Sequence, residues 1–187
     1  ANSSVMGANM IPMLTLGIPG SVSAALIISA FMIHGVQPGP FLFEQQGRLI
    51  YGSDDAPVAM LEFLSFTCGH CANYSAEVER LMALEVEDGR LRIELELLAS
   101  EDFSRRATQA TYCATEQGKG YSAYKSLFNG SRTEGAAEAY SQDGIERLLG
   151  TPALGLDMDA LTACMEAETY SDAIAQTRTR FLQYERT

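Results

Sequence analysis

The sequence predicts an α/β fold: a strand–helix–strand unit with two cysteines at its first turn, followed by a run of helices. Three observations carry this. Val58 to Phe66 (VAMLEFLSF) is a short apolar run of strand type, and Thr67 separates it from the CGHC of Cys68 to Cys71. The stretch behind it (CANYSAEVERLMALEVEDG) spaces Tyr74, Val78, Leu81, Met82, Leu84 and Val86 at helical intervals, and Gly89 ends it. Arg90 to Ala99 (RLRIELELLA) alternates apolar and charged residues, the pattern of a strand with one wet face or of an edge strand.

The elements on either side differ sharply in character. Ala1 to Phe43 contains no Asp, Glu, Lys or Arg, so the chain divides near residues 44–52. Within the uncharged part, Pro12, Gly17, Pro19 and Gly20 break the first half, and Val22 to Val36 favours a helix. That helix spans roughly 22 Å, short of the ~30 Å hydrocarbon core of a bilayer. It is a weak membrane span alone and a poor signal peptide, because no Lys or Arg precedes it. A buried helix of a soluble core fits the periodicity as well. After Ala99 the sequence reads as helices: SRRATQATYCATEQ to near Gly118, then YSAYKSLFNG, then SQDGIERLLG, then DMDALTACMEAETYSDAIAQTRTRFLQYE as a last helical stretch. The net charge of −11 argues against a nucleic-acid partner, whose phosphates need a basic face.

The chemistry concentrates at Cys68 and Cys71, for which three readings compete. A structural zinc site needs four Cys or His ligands, commonly in two close pairs. Here Cys113 and Cys164 are far apart in sequence, and the only histidines are His34 and His70. A purely structural disulfide between Cys68 and Cys71 closes a tiny loop and constrains little of the unfolded chain. Redox chemistry fits the placement. At a helix N-terminus the free backbone N–H groups and the helix dipole favour a thiolate at Cys68, and a protonated His70 adds to them. His70 as a plain helix-surface residue is the blander alternative. Glu62 sits inside the apolar strand, where an unpaired carboxylate is costly, so it either faces solvent at an edge or serves the chemistry.

Two resemblances extend this. MIPMLTLGIPGSVSAALIISAFMIHGVQPGPFLF, with its LGIPGS and IHGVQPGP elements, resembles part of the large membrane subunit of tripartite tricarboxylate transporters, over about residues 1–47. It implies a piece of a many-helix protein, with membrane association through residues 10–36. APVAMLEFLSFTCGHCANYSAEV resembles the DsbA-like branch of the thioredoxin superfamily, over about residues 49–187. That resemblance implies a thioredoxin-like domain at residues 48–187 with a helical insertion at about 104–165. In it Cys68 attacks, Cys71 resolves the mixed disulfide, and Glu62 moves the proton of the buried cysteine. No cofactor is needed beyond the cysteines. The partners implied are unfolded or reduced proteins and a redox-recycling partner, in the periplasm or cell envelope.

Two departures from the family pattern matter. Gly69-His70 is the pair of protein disulfide isomerases, whose potential is about −180 mV against about −120 mV for DsbA. The cis-proline loop, last strands and last helix of the fold are also expected to be absent. Gly150-Thr151-Pro152 matches the cis-proline signature by letters, but a helix start follows it. A sheet of at most three strands follows, with Val58–Phe66 paired to Arg90–Ala99. Cys113 and Cys164 are then either two buried free thiols or a structural disulfide formed in an oxidising compartment, and the disulfide is the expectation. The expected function is dithiol–disulfide exchange with protein substrates. The rival is an inactive junction of a transporter piece and an incomplete redox domain.

Overall fold

The computed structural model describes residues 47–71, 74, 77, 80, 82–86, 88–100 and 102–185. The transporter-like segment, including the apolar helix expected at Val22–Val36, His34 and the membrane route through residues 10–36, lies almost wholly outside the described residues.

Three strands form the described sheet: β1 (Leu49–Tyr51), β2 (Val58–Leu64) and β3 (Leu91–Leu97), in the order β1-β3-β2. β2 and β3 are parallel, with Val58 opposite Leu91 and Glu62 opposite Leu95. β1 runs antiparallel on the other side of β3. The link from β2 to β3 is the expected one. Residues 69–71, 74, 77 and 80 are helical, Met82–Val86 forms a wider π turn, and Gly89 closes the connection at φ +71°. All described residues after Leu97 are helix, turn or loop. Pro152 sits in the turn before the helix at Met158, and no peptide bond among the described residues is cis.

The expectation of a wet or edge strand at Arg90–Ala99 is corrected. β3 is the central strand, and helices cover both its faces. Paired residues of a parallel ladder share a face, so Met60, Glu62 and Leu64 lie with Ile93, Leu95 and Leu97 on one side. There Leu64, Ile93, Leu95 and Leu97 are buried in one apolar cluster with Tyr51, Ala107, Ala110, Leu127 and Phe128. The opposite side carries Phe63, Glu94 and Glu96. It is covered by the last helix, where Phe63 packs edge-on against Phe181 at 5.3 Å between ring centres. Of the charged residues of the alternation, Glu94 and Glu96 pair with Arg180 of that helix, while Arg92 pairs with Asp54 and Arg90 with Glu85 and Asp88.

Among the described residues six helices follow β3: α1 (Asp102–Thr115), α2 (Gly120–Glu134), α3 (Ala136–Ala139), α4 (Gln142–Leu149), α5 (Met158–Glu166) and α6 (Ser171–Tyr184). The expected single helical stretch over residues 157–185 is thus broken. Ala167 ends α5, Glu168 takes a left-handed φ of 49°, and the Thr169 hydroxyl donates to the Cys164 carbonyl at 3.2 Å. Tyr170 then anchors the corner by donating to Glu116 at 2.8 Å. Its ring lies against Gly47, where a Cβ would come within 2.4 Å of it. Gly47 also has φ +69° and donates its N–H to Thr115 Oγ1 at 2.7 Å, so close approach and backbone conformation both require glycine there. Asp157 caps α5 and Ser141 caps α4 through side-chain oxygens that accept from backbone N–H groups.

Candidate functional site

The site begins at the end of β2. Ser65 opens a turn in which the Cys68 N–H donates to the Ser65 carbonyl at 3.0 Å, and the Ser65 and Thr67 hydroxyls share a hydrogen bond of 2.9 Å. Phe66 turns into the core and stacks on Phe128 at 4.6 Å between ring centres, with Tyr140 edge-on at 5.2 Å. The Tyr140 hydroxyl donates to the Phe66 carbonyl at 3.1 Å. Side chain and backbone are therefore both held two residues before the motif, which fixes where the next helix starts.

That helix starts at Gly69, so Cys68 occupies its cap position. Cys68 Sγ accepts the Cys71 N–H at 3.2 Å, the role a serine or aspartate oxygen plays at other helix starts. Both thiols are free and half-buried. Burial pushes the Cys71 thiol up to about 11. Its hydrogen bond to Cys68 and the charges of Cys68 and Glu62 add to this, and a backbone hydrogen bond from Ser65 opposes it. His70 is exposed on the first turn. Glu62 lies on the core face of β2, and burial moves its carboxyl from 4.5 to about 7. Its Oε2 has no hydrogen-bond partner among the described residues. A shallow groove of about 580 Å³ beside the motif is lined by Glu62, Phe63, Leu64, His70, Cys71, Tyr74 and Glu77.

The structure thus brings Glu62, His70 and Cys71 to one groove, with Cys68 hydrogen-bonded to Cys71. It puts Cys113 and Cys164 on α1 and α5 instead, joined by a disulfide with a Cα separation of 5.9 Å. Among the described residues no group of three or more His, Cys, Asp or Glu side chains could hold a metal ion. The sequence reasoning missed Tyr124 and Tyr140. Tyr140 reaches Phe66 from 74 residues away, and no local pattern marks such a partner.

Comparison with known proteins divides the chain where its charge does. A family profile described as Thioredoxin matches residues 44–185, and one described as the tripartite tricarboxylate transporter TctA family matches residues 1–60. An uncharacterized 52.8 kDa protein in the TAR-I ttuC' 3'region of Agrobacterium vitis is 42% identical over 52 residues, 28% of this chain. The chain spans only 10% of that relative's length. Among solved structures, a thioredoxin-like oxidoreductase from Silicibacter pomeroyi superimposes with a TM-score of 0.60 at 24% identity, covering 76% of this chain and 77% of the other. Wolbachia pipientis alpha-DsbA1 superimposes with a TM-score of 0.62 at 18% identity, covering 73% of this chain and 68% of the other.

Proposed function

Since the chain belongs to the thioredoxin family, we propose that it is a DsbA-like thiol–disulfide oxidoreductase that exchanges disulfides with unfolded or reduced proteins. One observation supports this most directly: a helix capped by a cysteine sulfur that accepts the N–H of a second cysteine, with a half-buried carboxyl in the same groove whose Oε2 has no partner among the described residues. Cys68 is the attacking and attacked sulfur, because it sits at the positive end of the helix dipole, which favours a thiolate. Cys71 is the resolving thiol, held protonated until it is needed. Glu62, with its carboxyl at about 7, accepts the Cys71 proton in one direction and returns it in the other. His70, when protonated, adds positive charge next to Cys68.

In the oxidising direction a substrate thiolate attacks Cys68 Sγ of the Cys68–Cys71 disulfide. A substrate–Cys68 bond forms, and Cys71 leaves and takes a proton. A second substrate thiolate then displaces Cys68, so the substrate loses one electron pair and the enzyme gains it. A redox partner restores the enzyme disulfide. The similarity to DsbA proteins and to a membrane-transporter family supports a place in the cell envelope, with residues 10–36 as a route to the membrane.

The test is oxidation of a reduced, unfolded protein by the purified chain carrying the Cys68–Cys71 disulfide. Stoichiometric transfer of that disulfide is expected. No transfer from a folded chain would favour the rival reading, an inactive junction, which the transporter match at residues 1–60 supports.

A further inference from the structure

Besides Thr108 Oγ1 of α1, two buried side-chain oxygens have no hydrogen-bond partner among the described residues, Glu62 Oε2 and Tyr124 Oη. One comes from β2 and the other from the middle of α2. Tyr124 is 1% exposed. Its ring packs edge-on against Phe128 at 4.9 Å and near Phe66 at 6.2 Å, in a cluster that a phenylalanine would fill equally well. A buried hydroxyl without a partner is unfavourable there.

The packing points to a partner: Tyr124 lies between Phe66, 6.2 Å away, and Tyr121, on which it stacks at 5.8 Å and which sits edge-on to Tyr51, and Glu62 occupies the same face of the sheet between the rows of Tyr51 and Phe66. Burial pushes the Tyr124 hydroxyl strongly upward. The Glu62 charge comes next, ahead of Tyr121, Cys71 and Tyr140. The phenol therefore keeps its proton and is a permanent donor beside a carboxyl that titrates near neutrality. The ionisable groups facing this corner are Glu62 of β2, Cys68 and Cys71 of the motif turn, Tyr121 of the same helix and Tyr140 after α3. His70 and Glu77 lie along the groove.

We propose that Tyr124 is a positioning residue for the exchange reaction: its hydroxyl donates to the Glu62 carboxylate, directly or through one bridging water, and holds it where it takes the proton of Cys71. This rests on the oxidoreductase reading above. The step it serves is resolution of a mixed disulfide. Cys71 gives its proton to Glu62, and its sulfur then attacks Cys68 Sγ. The Cys68–Cys71 bond forms, the bond from Cys68 to the outside sulfur breaks, and that sulfur leaves as a thiolate. Cys71 is oxidised as the leaving sulfur is reduced, one electron pair in all. Tyr124 contributes no atom to the bonds that change.

The experiment uses the full chain with Cys68 in a mixed disulfide with glutathione, and follows glutathione release between pH 5 and 9. Tyr124→Phe keeps the ring and its packing and removes only the donor. Losing a hydrogen bond to the charged form raises a carboxylate's pKa, so the midpoint of the acid limb should move up by about 0.5–1 unit. The rate at pH 6.5 should then fall by about threefold to tenfold. In a Glu62→Gln background the same change should do nothing. A carbon NMR titration of the Glu62 carboxyl in the reduced protein reads the same shift without any turnover. Superimposable profiles and titrations for wild type and Tyr124→Phe would overturn the proposal, as would an equal loss in the Glu62→Gln background. If wild type releases no glutathione, the oxidoreductase reading fails and takes this one with it. If it releases glutathione and Tyr124→Phe matches it, only the role of Tyr124 fails.

Discussion

Glu62 and Glu96 are both held by the sheet, on neighbouring strands and opposite faces, because Glu62 pairs with Leu95 and Phe63 with Glu96. Burial is the largest influence on both, and it pushes both carboxyls upward. Their surroundings differ in one respect. Glu96 accepts from the Thr177 hydroxyl at 2.5 Å and pairs with Arg180, which also reaches Glu94 at 3.5 Å. Glu62 Oε2 has no partner among the described residues. A buried carboxylate with a hydroxyl and a guanidinium against it fastens a helix to a sheet. One without them remains free to trade a proton. The cysteines divide the same way: Cys113 and Cys164 are spent in a bond between α1 and α5, while Cys68 and Cys71 remain thiols.

The sharpest way to break this contrast is at the cysteines. Cys68→Ser should lower the exchange rate by about 10³-fold or more while leaving thermal unfolding unchanged, because the sulfur is the nucleophile and the cap needs only an acceptor. Exchange within tenfold of wild type would remove Cys68 from the chemistry. The double change Cys113→Ala with Cys164→Ala should do the opposite. Opening a crosslink between residues 51 apart should cost about 3–4 kcal/mol in urea unfolding, with exchange retained in whatever remains folded.

The glutamates give smaller effects. Arg180→Ala leaves Glu96 with only its hydroxyl partner, and urea unfolding at pH 8 should show a loss of about 2 kcal/mol, discounted because Arg180 is partly exposed. Without the guanidinium the Glu96 carboxyl moves further above its unfolded value, so the loss should shrink as pH falls toward 4.5 and Glu96 takes a proton. A loss independent of pH would mean that Arg180 acts by packing alone.

Glu62→Gln should have the opposite sign. The folded value of about 7 lies above the unfolded 4.5, so the folded state binds the proton more tightly. Wild-type stability is therefore lost as pH rises from 4.5 through about 7, and the cost is complete above that. At pH 8 the variant should gain about 1–2 kcal/mol, roughly half the full linkage value because the carboxyl is only partly buried, and at pH 4 it should gain nothing. Destabilisation at both pH values would make Glu62 a structural residue like Glu96.

The local elements were legible because residues a few positions apart encode them. The apolar run of Val58–Phe66, the helical spacing after Cys71, the glycine stop at Gly89 and the alternation of Arg90–Ala99 each report their own backbone. They place a CxxC at a strand-to-helix turn, which the structure has. The alternation could say only that one face of β3 is apolar. It could not say that α6 would cover the other, because the Thr177 that meets Glu96 lies 81 residues away. The break at residues 167–170 was hidden for the same reason. Nothing in AETY stops a helix by itself, and the corner is held by Glu116 on α1 and by the space at Gly47. Glu62 could be picked out as a charge inside an apolar strand, but the absence of a partner for its Oε2 among the described residues, and the packing of Tyr124 from α2 near Phe66 just beyond the same strand, exist only once the helices have packed. Periodicity tells a residue which way it faces, and only the assembled core decides what it faces.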